Sequence, residues 1–331
     1  MSMSNKIATS TPVTGLDRVM RISLGMTQQE TISQQVLPFA ALSMAMRRAR
    51  AFFILAKPEI TLMVMISAGV ASVMASDSLR VMVLVHSMVG IGLLAAGAGV
   101  LNQYLERELD GNMRRTTRRP LPAGELSESH ALIFGIVVSS LGMLYVLLLL
   151  NALTALLGLL TLISYLFIYT PLKTKTSLCT FAGAFPGAAP VLMGWSATTN
   201  SLTLEAAALY AILFLWQFPH FYAIGWLYRE DYARAAMLML PAREANDGRT
   251  TFRLILISTQ LLIIASLLLT FIAHTGTLYL VSAMILGICF YYFAYQVSLS
   301  QSKLAAKRLL HASVIYLPLL YLFMILDRIN R

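Results

Sequence analysis

Three polar residues recur at four-residue intervals just after a long apolar run. Asn102, Glu106 and Asp110 are spaced i, i+4 and i+8, so they share one face if the helix continues beyond that run. Mg²⁺ is typically held by one or two carboxylates together with phosphate oxygens and water. The spacing therefore predicts a divalent-metal site at a helix end, completed by a diphosphate.

Arginines interleave with these acids or follow them. Guanidinium groups bind phosphate oxygens through paired hydrogen bonds, which suits the remaining charge of a diphosphate. The alternative is a solvated, membrane-anchoring collar. Against it, Asn102 and Glu106 lie at the end of an apolar helix, where polar groups are costly unless they face a cavity. The predicted diphosphate-binding arginines are Arg107, Arg114, Arg115, Arg118 and Arg119.

A second polar segment begins inside another apolar run, at Pro219 and His220. His220 lies eleven residues, about three turns, before Asp231, so the two lie near one face of a helix. Asp231 is the predicted second-site metal ligand, and Lys173, after the fourth apolar run, is a predicted diphosphate contact. His220 is either functional or simply hydrogen-bonded to a neighbouring helix.

The composition places these segments in a membrane protein. Of the 331 residues, 58% are hydrophobic and 12% charged, against roughly 45–50% and 25% in soluble domains. Apolar runs of at least 18 residues, the length of a membrane span, recur along the chain. A net charge of +10 would suggest nucleic acid in a soluble protein. Here it is better explained by cationic cytoplasmic loops, and we predict no nucleic-acid partner.

We predict an all-α polytopic membrane protein with nine transmembrane helices. With the N-terminus inside, 22 of the 25 Lys and Arg residues lie on the inner side, leaving only Arg80, Arg328 and Arg331 outside. Cytoplasmic loops collect positive charge, so this split sets the orientation and favours an odd number of spans. The predicted spans are about 54–75, 80–101, 130–150, 153–169, 179–198, 204–227, 253–273, 277–297 and 309–327.

Two long inner segments resemble each other, and we call 102–129 the first inner segment and 228–252 the second. Each begins with acids and arginines at a helix end and then reaches Leu-Pro-Ala, at 121–123 and at 240–242. Such repetition is common where membrane proteins consist of two related halves. It predicts that the two segments face each other over one central cavity.

Residues 1–45 contain no run long enough to span a membrane. We predict a flexible cytoplasmic N-terminal extension there, followed by a nine-helix membrane domain at 46–331. The basic, acid-poor composition also fits a transit peptide. We favour a bacterial tail, and hence the bacterial inner membrane over the mitochondrial one. Cys179 and Cys289 predict neither a disulfide framework nor a metal cluster.

Several motifs together resemble the intramembrane prenyltransferase superfamily of the UbiA type, over about residues 50–327. The Arg-Arg-Pro-Leu-Pro-Ala-Gly run and Pro-His-Phe before the second segment are most similar to its heme-modifying branch. Glu106 and Glu108 stand where that family usually has Asp, and the second segment offers only Glu230 and Asp231. The motifs are Asn102-x3-Glu106-Arg107-Glu108-Leu109-Asp110, Met113-x-Arg115-Thr116, Arg119 to Gly124, Tyr169 to Lys173, and Pro219-His220-Phe221 followed by Tyr228 to Tyr232.

The resemblance implies nine helices around a central cavity and an enzyme that joins the farnesyl group of farnesyl diphosphate to a vinyl group of heme b, giving heme O and diphosphate. Its implied cofactor is Mg²⁺, and heme b is a substrate. Asn102, Glu106, Asp110 and Asp231 would hold the metal, and Lys173 would join them in catalysis. Further implied substrate-binding residues are His220, Tyr228, Arg229 and Arg234.

The resemblance also implies that the protein lies in membrane lipid and that its partner is a heme A synthase or a terminal oxidase. Two alternatives remain. A prenyltransferase for an aromatic quinone precursor such as 4-hydroxybenzoate would share the metal chemistry and differ in its acceptor. A membrane transporter also has many spans, but its charges are expected near mid-membrane rather than at one face.

Overall fold

The computed structural model describes residues 44–244 and 247–330, and these form helices joined by loops. The chain divides into two units, 1–50 and 51–331. In the first unit, only 44–50 are described, as exposed helix. The remainder of the predicted N-terminal extension lies outside the described residues, so the predicted boundary at 45–46 stays a prediction.

The second unit is a helical bundle. Long helices alternate with short loops on one side and with longer segments, containing two short helices, on the other. The helices of the described residues are α1 Met44–Leu55, α2 Pro58–Met74, α3 Val81–Gly111, α4 Glu128–Leu149, α5 Ala152–Leu172, α6 Cys179–Thr199, α7 Leu204–Leu227, α8 Arg229–Arg234, α9 Leu240–Arg243, α10 Arg249–Ile272, α11 Thr277–Ser300 and α12 Lys303–Ile329.

The predicted all-α polytopic fold is confirmed. By length and composition, seven of the described helices can cross a membrane, or eight if α1 and α2 count as one span. The helix α6 is not among them, because it is rich in Gly, Ala, Ser, Thr and Pro, but it coincides with the predicted span at 179–198. Each of the nine predicted spans therefore overlaps a long helix.

Two differences between the predicted spans and the helices bear on the site. The span predicted at 54–75 is interrupted at Ala56 and Lys57, because Pro58 disfavours helical geometry at the residue before it. Lys57 adopts the left-handed conformation, with φ of 50°. The span predicted at 80–101 continues as α3 to Gly111, which places Asn102 and Asp110 on one regular helix.

Helix α6 packs against α2, α5 and α7. Its small residues permit close approach, as is usual where membrane helices pack tightly. A Cβ atom on Gly194 would overlap the backbone oxygen of Ala68 on α2, and one on Gly187 would overlap the side chain of Gln217 on α7. Both contacts require glycine, and they bring α2 and α7 close to α6.

Helix α5 contains a π-helical turn at Ser164–Tyr169, close to its inner end. Such turns often lie at functional sites because they shift the residues that follow. Tyr165 and Tyr169 stack across it, with ring centroids 5.4 Å apart. The Thr170 hydroxyl donates to the backbone oxygen of Tyr165 at 2.9 Å. The turn thereby presents Thr170 and Lys173 towards α3.

Candidate active site

The three polar residues at the inner end of α3 are all buried. Asn102 is 1% exposed, Glu106 4% and Asp110 1%. Charged and amide groups are rarely buried so completely unless they are paired or bind a ligand. Each of the three contacts a cation, Lys57, Lys173 or Arg119. We call Asn102, Glu106 and Asp110 the acid row.

Lys57 and Thr170 fix the amide of Asn102. The Lys57 ammonium donates to Asn102 Oδ1 at 3.0 Å, and Asn102 Nδ2 donates to the Thr170 hydroxyl at 3.0 Å. Lys57 holds this position through its left-handed backbone, a conformation that costs free energy for any residue but glycine. Strain of this kind is typical of functional sites.

The two carboxylates of the acid row form ion pairs. Glu106 Oε1 lies 2.6 Å from Lys173 Nζ, and Asp110 Oδ2 accepts from Arg119 at 2.6 Å. Burial disfavours the charged ammonium of Lys173, but the Glu106 carboxylate outweighs it, so the pKa of Lys173 lies above its ordinary value. Lys173 is therefore a permanent positive charge at neutral pH.

Asp231, from the second inner segment, meets the first segment through Arg115. Asp231 Oδ2 accepts from the backbone amide of Arg115 at 3.2 Å, and the same carboxylate pairs with Arg234. The Arg115 guanidinium donates to the Tyr232 hydroxyl at 2.8 Å and lies 4.8 Å from the centre of that ring. The structure thus joins the two inner segments, as their repeated pattern predicts.

Two further contacts join the second inner segment to the loop after α5. The backbone amide of Leu238 donates to the backbone oxygen of Lys173 at 2.7 Å. A buried apolar cluster of Met113, Met237 and Met239 includes Cys179 at the start of α6. Lys173 is consequently held between the acid row and the second inner segment.

A pocket of about 400 Å³ opens beside Asp231. It is bordered by cations and acids from both inner segments and by the start of α12. Glu230 already pairs with Lys303 at 2.8 Å, and hydrogen bonding to Lys303 lowers the pKa of Glu230. The lining residues are Arg114, Arg115, Leu227, Tyr228, Glu230, Asp231 and Lys303.

Four predicted substrate-binding residues lie apart from the acid row. Arg107 pairs with Glu128 at 2.9 Å. Arg118 is exposed, with no described contact through its side chain. Arg229 lies over the Trp226 ring, 4.5 Å from its centre. His220 lies farther along α7 and contacts Ser313 on α12 at 2.8 Å. Arg114, Arg115, Tyr228 and Asp231 line the pocket, and Arg234 pairs with Asp231. Lys173 and Arg119 pair with the acid row.

Similarity to known proteins identifies the chain. The model of the UbiA prenyltransferase family matches residues 62–317. The chain belongs to the UbiA prenyltransferase family. A relative from Solibacter usitatus, named protoheme IX farnesyltransferase, is 44% identical over 289 residues, covering 84% of this chain and 99% of the relative.

Solved structures share the fold of this UbiA prenyltransferase. A digeranylgeranylglyceryl phosphate synthase matches with a TM-score of 0.71 and 16% identity, over 86% of this chain and 99% of its own. A UbiA homolog from Archaeoglobus fulgidus, bound to DMAPP and Mg²⁺, matches with a TM-score of 0.62 and 12% identity, over 82% and 98%. Family membership makes the protein a membrane prenyltransferase, and the transporter alternative is excluded.

The acid row suits the hard divalent ion that the family implies. Asp110 Oδ1 is buried and has no hydrogen-bond partner within the described residues. The side chains of Asn102, Glu106 and Asp110 all offer oxygen, the ligand that Mg²⁺ prefers. No three His, Cys, Asp or Glu side chains in the described part of the chain are grouped closely enough to hold a metal alone. Substrate oxygens are thus needed to complete the predicted site.

Sequence reasoning missed three residues of this UbiA site. Lys57 is not among the predicted site residues, although a lysine before proline inside an apolar run is itself a signal for a functional charge. Thr170 and Lys303 carry no such signal. Their roles depend on which helices pack together, since Thr170 meets Asn102 from 68 residues away and Lys303 meets Glu230 from 73.

Proposed function

We propose that this prenyltransferase transfers the farnesyl group of farnesyl diphosphate to a vinyl group of heme b, releasing diphosphate and making heme O. The proposal has a donor half, that farnesyl diphosphate is the donor, and an acceptor half, that heme b is the acceptor. One observation supports the donor half: Asn102, Glu106 and Asp110 are buried in a row, and each contacts a cation. The acceptor half is supported by relatives such as the protein from Solibacter usitatus, 44% identical and named protoheme IX farnesyltransferase.

The diphosphate would exchange partners with the acid row. Lys57, Lys173 and Arg119 now bind Asn102, Glu106 and Asp110. When a diphosphate arrives, these cations could turn to its oxygens, while Asn102, Glu106 and Asp110 would offer oxygens to Mg²⁺. Asp231 would be the metal ligand from the second inner segment. The metal, when bound, would neutralise the charge that develops on the leaving group. Arg114 and Arg115, beside Asp231, provide further donors for the diphosphate.

The reaction itself breaks the bond between the allylic carbon and the diphosphate oxygen, and the diphosphate leaves with the electron pair. The vinyl group of heme b attacks the allylic cation, forming a carbon–carbon bond and a new cation beside the porphyrin. Water adds to that carbon, and the proton it loses can be taken up by the released diphosphate. The cations paired with the acid row favour departure because negative charge grows beside them.

The heme would approach from the second inner segment. Its propionates are carboxylates, which arginine binds through paired hydrogen bonds. Arg229 and Arg234, together with the pocket cation Lys303, are the proposed partners, and Tyr228 provides an aromatic surface at the pocket edge. The acid row would serve an aromatic quinone precursor equally well, so the acceptor has to be tested directly.

The decisive experiment offers both acceptors to one preparation. Membranes containing the protein are incubated with farnesyl diphosphate, Mg²⁺ and either heme b or 4-hydroxybenzoate, and the product masses are recorded. We expect heme O from the first mixture and no prenylated benzoate from the second. Prenylated benzoate without heme O would overturn the acceptor assignment while preserving the donor half.

The cellular setting follows from the same proposal. We infer residence in a bacterial inner membrane, with residues 1–45 as an extension and both inner segments on the cytoplasmic side. Diphosphate could then leave directly into the cytoplasm. Heme O stays in the lipid, where a heme A synthase or a terminal oxidase is the expected recipient.

A further inference from the structure

His220 is a histidine within a membrane-spanning helix, on the wall of α7 that faces α12. Its ring stacks on Trp216, with centroids 4.6 Å apart. Its Nδ1 lies 2.8 Å from the hydroxyl oxygen of Ser313. Ionisable residues inside a membrane protein mark functional positions unless a neighbouring helix satisfies them completely. Here the neighbour satisfies only one of the two ring nitrogens.

The Ser313 hydroxyl determines which nitrogen carries the hydrogen. A hydroxyl has a single hydrogen, and Ser313 donates it to the backbone oxygen of Leu310 at 2.7 Å. In that arrangement the Ser313 oxygen accepts, and Nδ1–H of His220 donates to it. In a neutral imidazole, Nε2 is left with an open lone pair. Within the described residues, Nε2 has no hydrogen-bond partner.

Ser313 also holds the ring on which His220 stacks. Trp216 Nε1 donates to the backbone oxygen of Ser313 at 2.9 Å, so one residue of α12 fixes both aromatic rings. A metal-binding histidine almost always donates its other N–H to a fixed acceptor, which sets both the tautomer and the ring orientation. His220 meets that requirement, because its Nδ1 has a fixed partner. It is not part of the acid row, so its other nitrogen is not used there.

The face of α7 that bears His220 leads towards the pocket. Ile224 and Leu227 follow at i+4 and i+7 and so share that face. Leu227 lines the pocket together with Arg114 and Lys303. Seven helical residues span about 10 Å. A porphyrin with its iron at His220 could therefore extend its propionates towards the cations at the inner end of the helix.

We propose that Nε2 of His220 is an axial ligand of the heme iron and that Ser313 is the positioning residue for it. The inference rests on the proposed function, in which heme b is the acceptor. Anchoring the macrocycle through its iron leaves the vinyl edge free to meet the allylic cation. It also confines that edge to one distance from the acid row.

The test separates binding through iron from binding through the porphyrin ring. Purified wild type, His220→Ala and His86→Ala are each titrated with ferric heme and with metal-free protoporphyrin IX. His86 is the matched control, a histidine in a membrane helix that contacts the Tyr145 hydroxyl at 2.8 Å. We expect His220→Ala to weaken heme binding by at least about 10-fold and to shift the Soret band, with protoporphyrin binding unchanged.

Substitutions of Ser313 test the positioning role. Ser313→Ala should weaken heme binding by roughly 10-fold, while Ser313→Thr, which keeps the hydroxyl, should restore it. Added imidazole should restore the Soret band of His220→Ala. If that variant does not fold, the Ser313 pair still reports on the ligand.

The two hypotheses fail in different ways. An unchanged heme spectrum in His220→Ala, or an equal loss for heme and protoporphyrin, overturns the ligand assignment even if wild type makes heme O. Absence of heme O from an active wild-type preparation overturns the proposed function instead.

Discussion

At the scale of single residues, the acid row both forms stabilising ion pairs and provides the proposed metal ligands. Its carboxylates are buried, and ion pairs with Arg119 and Lys173 compensate them. Replacing both members of a buried ion pair often changes stability little, whereas removing one member leaves an uncompensated charge. Substitutions in the row therefore have to be read with their partners.

Asp110 is expected to be essential for turnover. Asp110→Asn keeps the size of the side chain but removes the charge opposite Arg119. It also removes a carboxylate ligand for the proposed metal, whose Oδ1 is buried and has no hydrogen-bond partner within the described residues. We expect kcat to fall by about 100-fold or more while the protein remains folded in detergent. Glu108→Gln is the matched control, because that side chain is 85% exposed on another face of α3. Equal activity of the two variants would contradict the proposed metal site.

Lys173 and Glu106 provide a test of the ion pair itself. Lys173→Met leaves the Glu106 carboxylate buried without a partner, and we expect a loss of about 3–5 kcal/mol in the free energy of unfolding. Adding Glu106→Gln should recover much of that loss, although activity should remain absent in both. Unfolding in detergent, measured for the two single variants and the double variant, gives the coupling. Losses that simply add would show that the pair is not energetically coupled.

At the scale of elements, close helix packing places the site. The glycines of α6 let α2, α5 and α7 approach it closely, and the π-helical turn of α5 directs Thr170 towards Asn102 on α3. One of these contacts involves the backbones of α6 and α2. Its contribution to the free energy of unfolding can be measured by adding a single methyl group.

Gly194→Ala should destabilise the bundle. Its Cβ would overlap the backbone oxygen of Ala68, which cannot move without shifting α2. We expect a cost of about 1–3 kcal/mol, seen as a lower midpoint of thermal unfolding in detergent. Gly111→Ala, at the end of α3 with no atom within 4 Å of the new Cβ, is the control and should leave the midpoint unchanged or slightly raised. Similar midpoints for both would argue against tight packing of α6.

At the scale of the whole molecule, charge asymmetry predicts a single orientation. Cationic residues concentrate on the side that carries both inner segments. In a variant with Cys179 and Cys289 replaced by Ala, Arg118→Cys should react with a membrane-impermeant thiol reagent only in inside-out vesicles. Ser201→Cys, in the loop after α6, should react only in intact cells. Labelling of both positions from the same side would contradict the predicted topology.

The spans and the acid row could be predicted from sequence for a physical reason. Lipid requires long apolar helices, and the 3.6-residue period then fixes which residues share a face, so Asn102, Glu106 and Asp110 are grouped by local geometry alone. Their partners could not be predicted in the same way. Lys57 and Lys173 reach α3 only through packing among α2, α5 and α6, which depends on the shapes of side chains distant in sequence.

The hydrogen bond from Leu238 to the backbone of Lys173 couples the binding of one substrate to the affinity for the other. A movement of the second inner segment that admits one ligand must stretch this bond or carry Lys173 with it, altering the charge that the other ligand meets. Communication of this kind is reciprocal: whatever factor the first ligand applies to the affinity of the second, the second applies to the first. Order of arrival would then change the route to the ternary complex but leave its total free energy of formation unchanged.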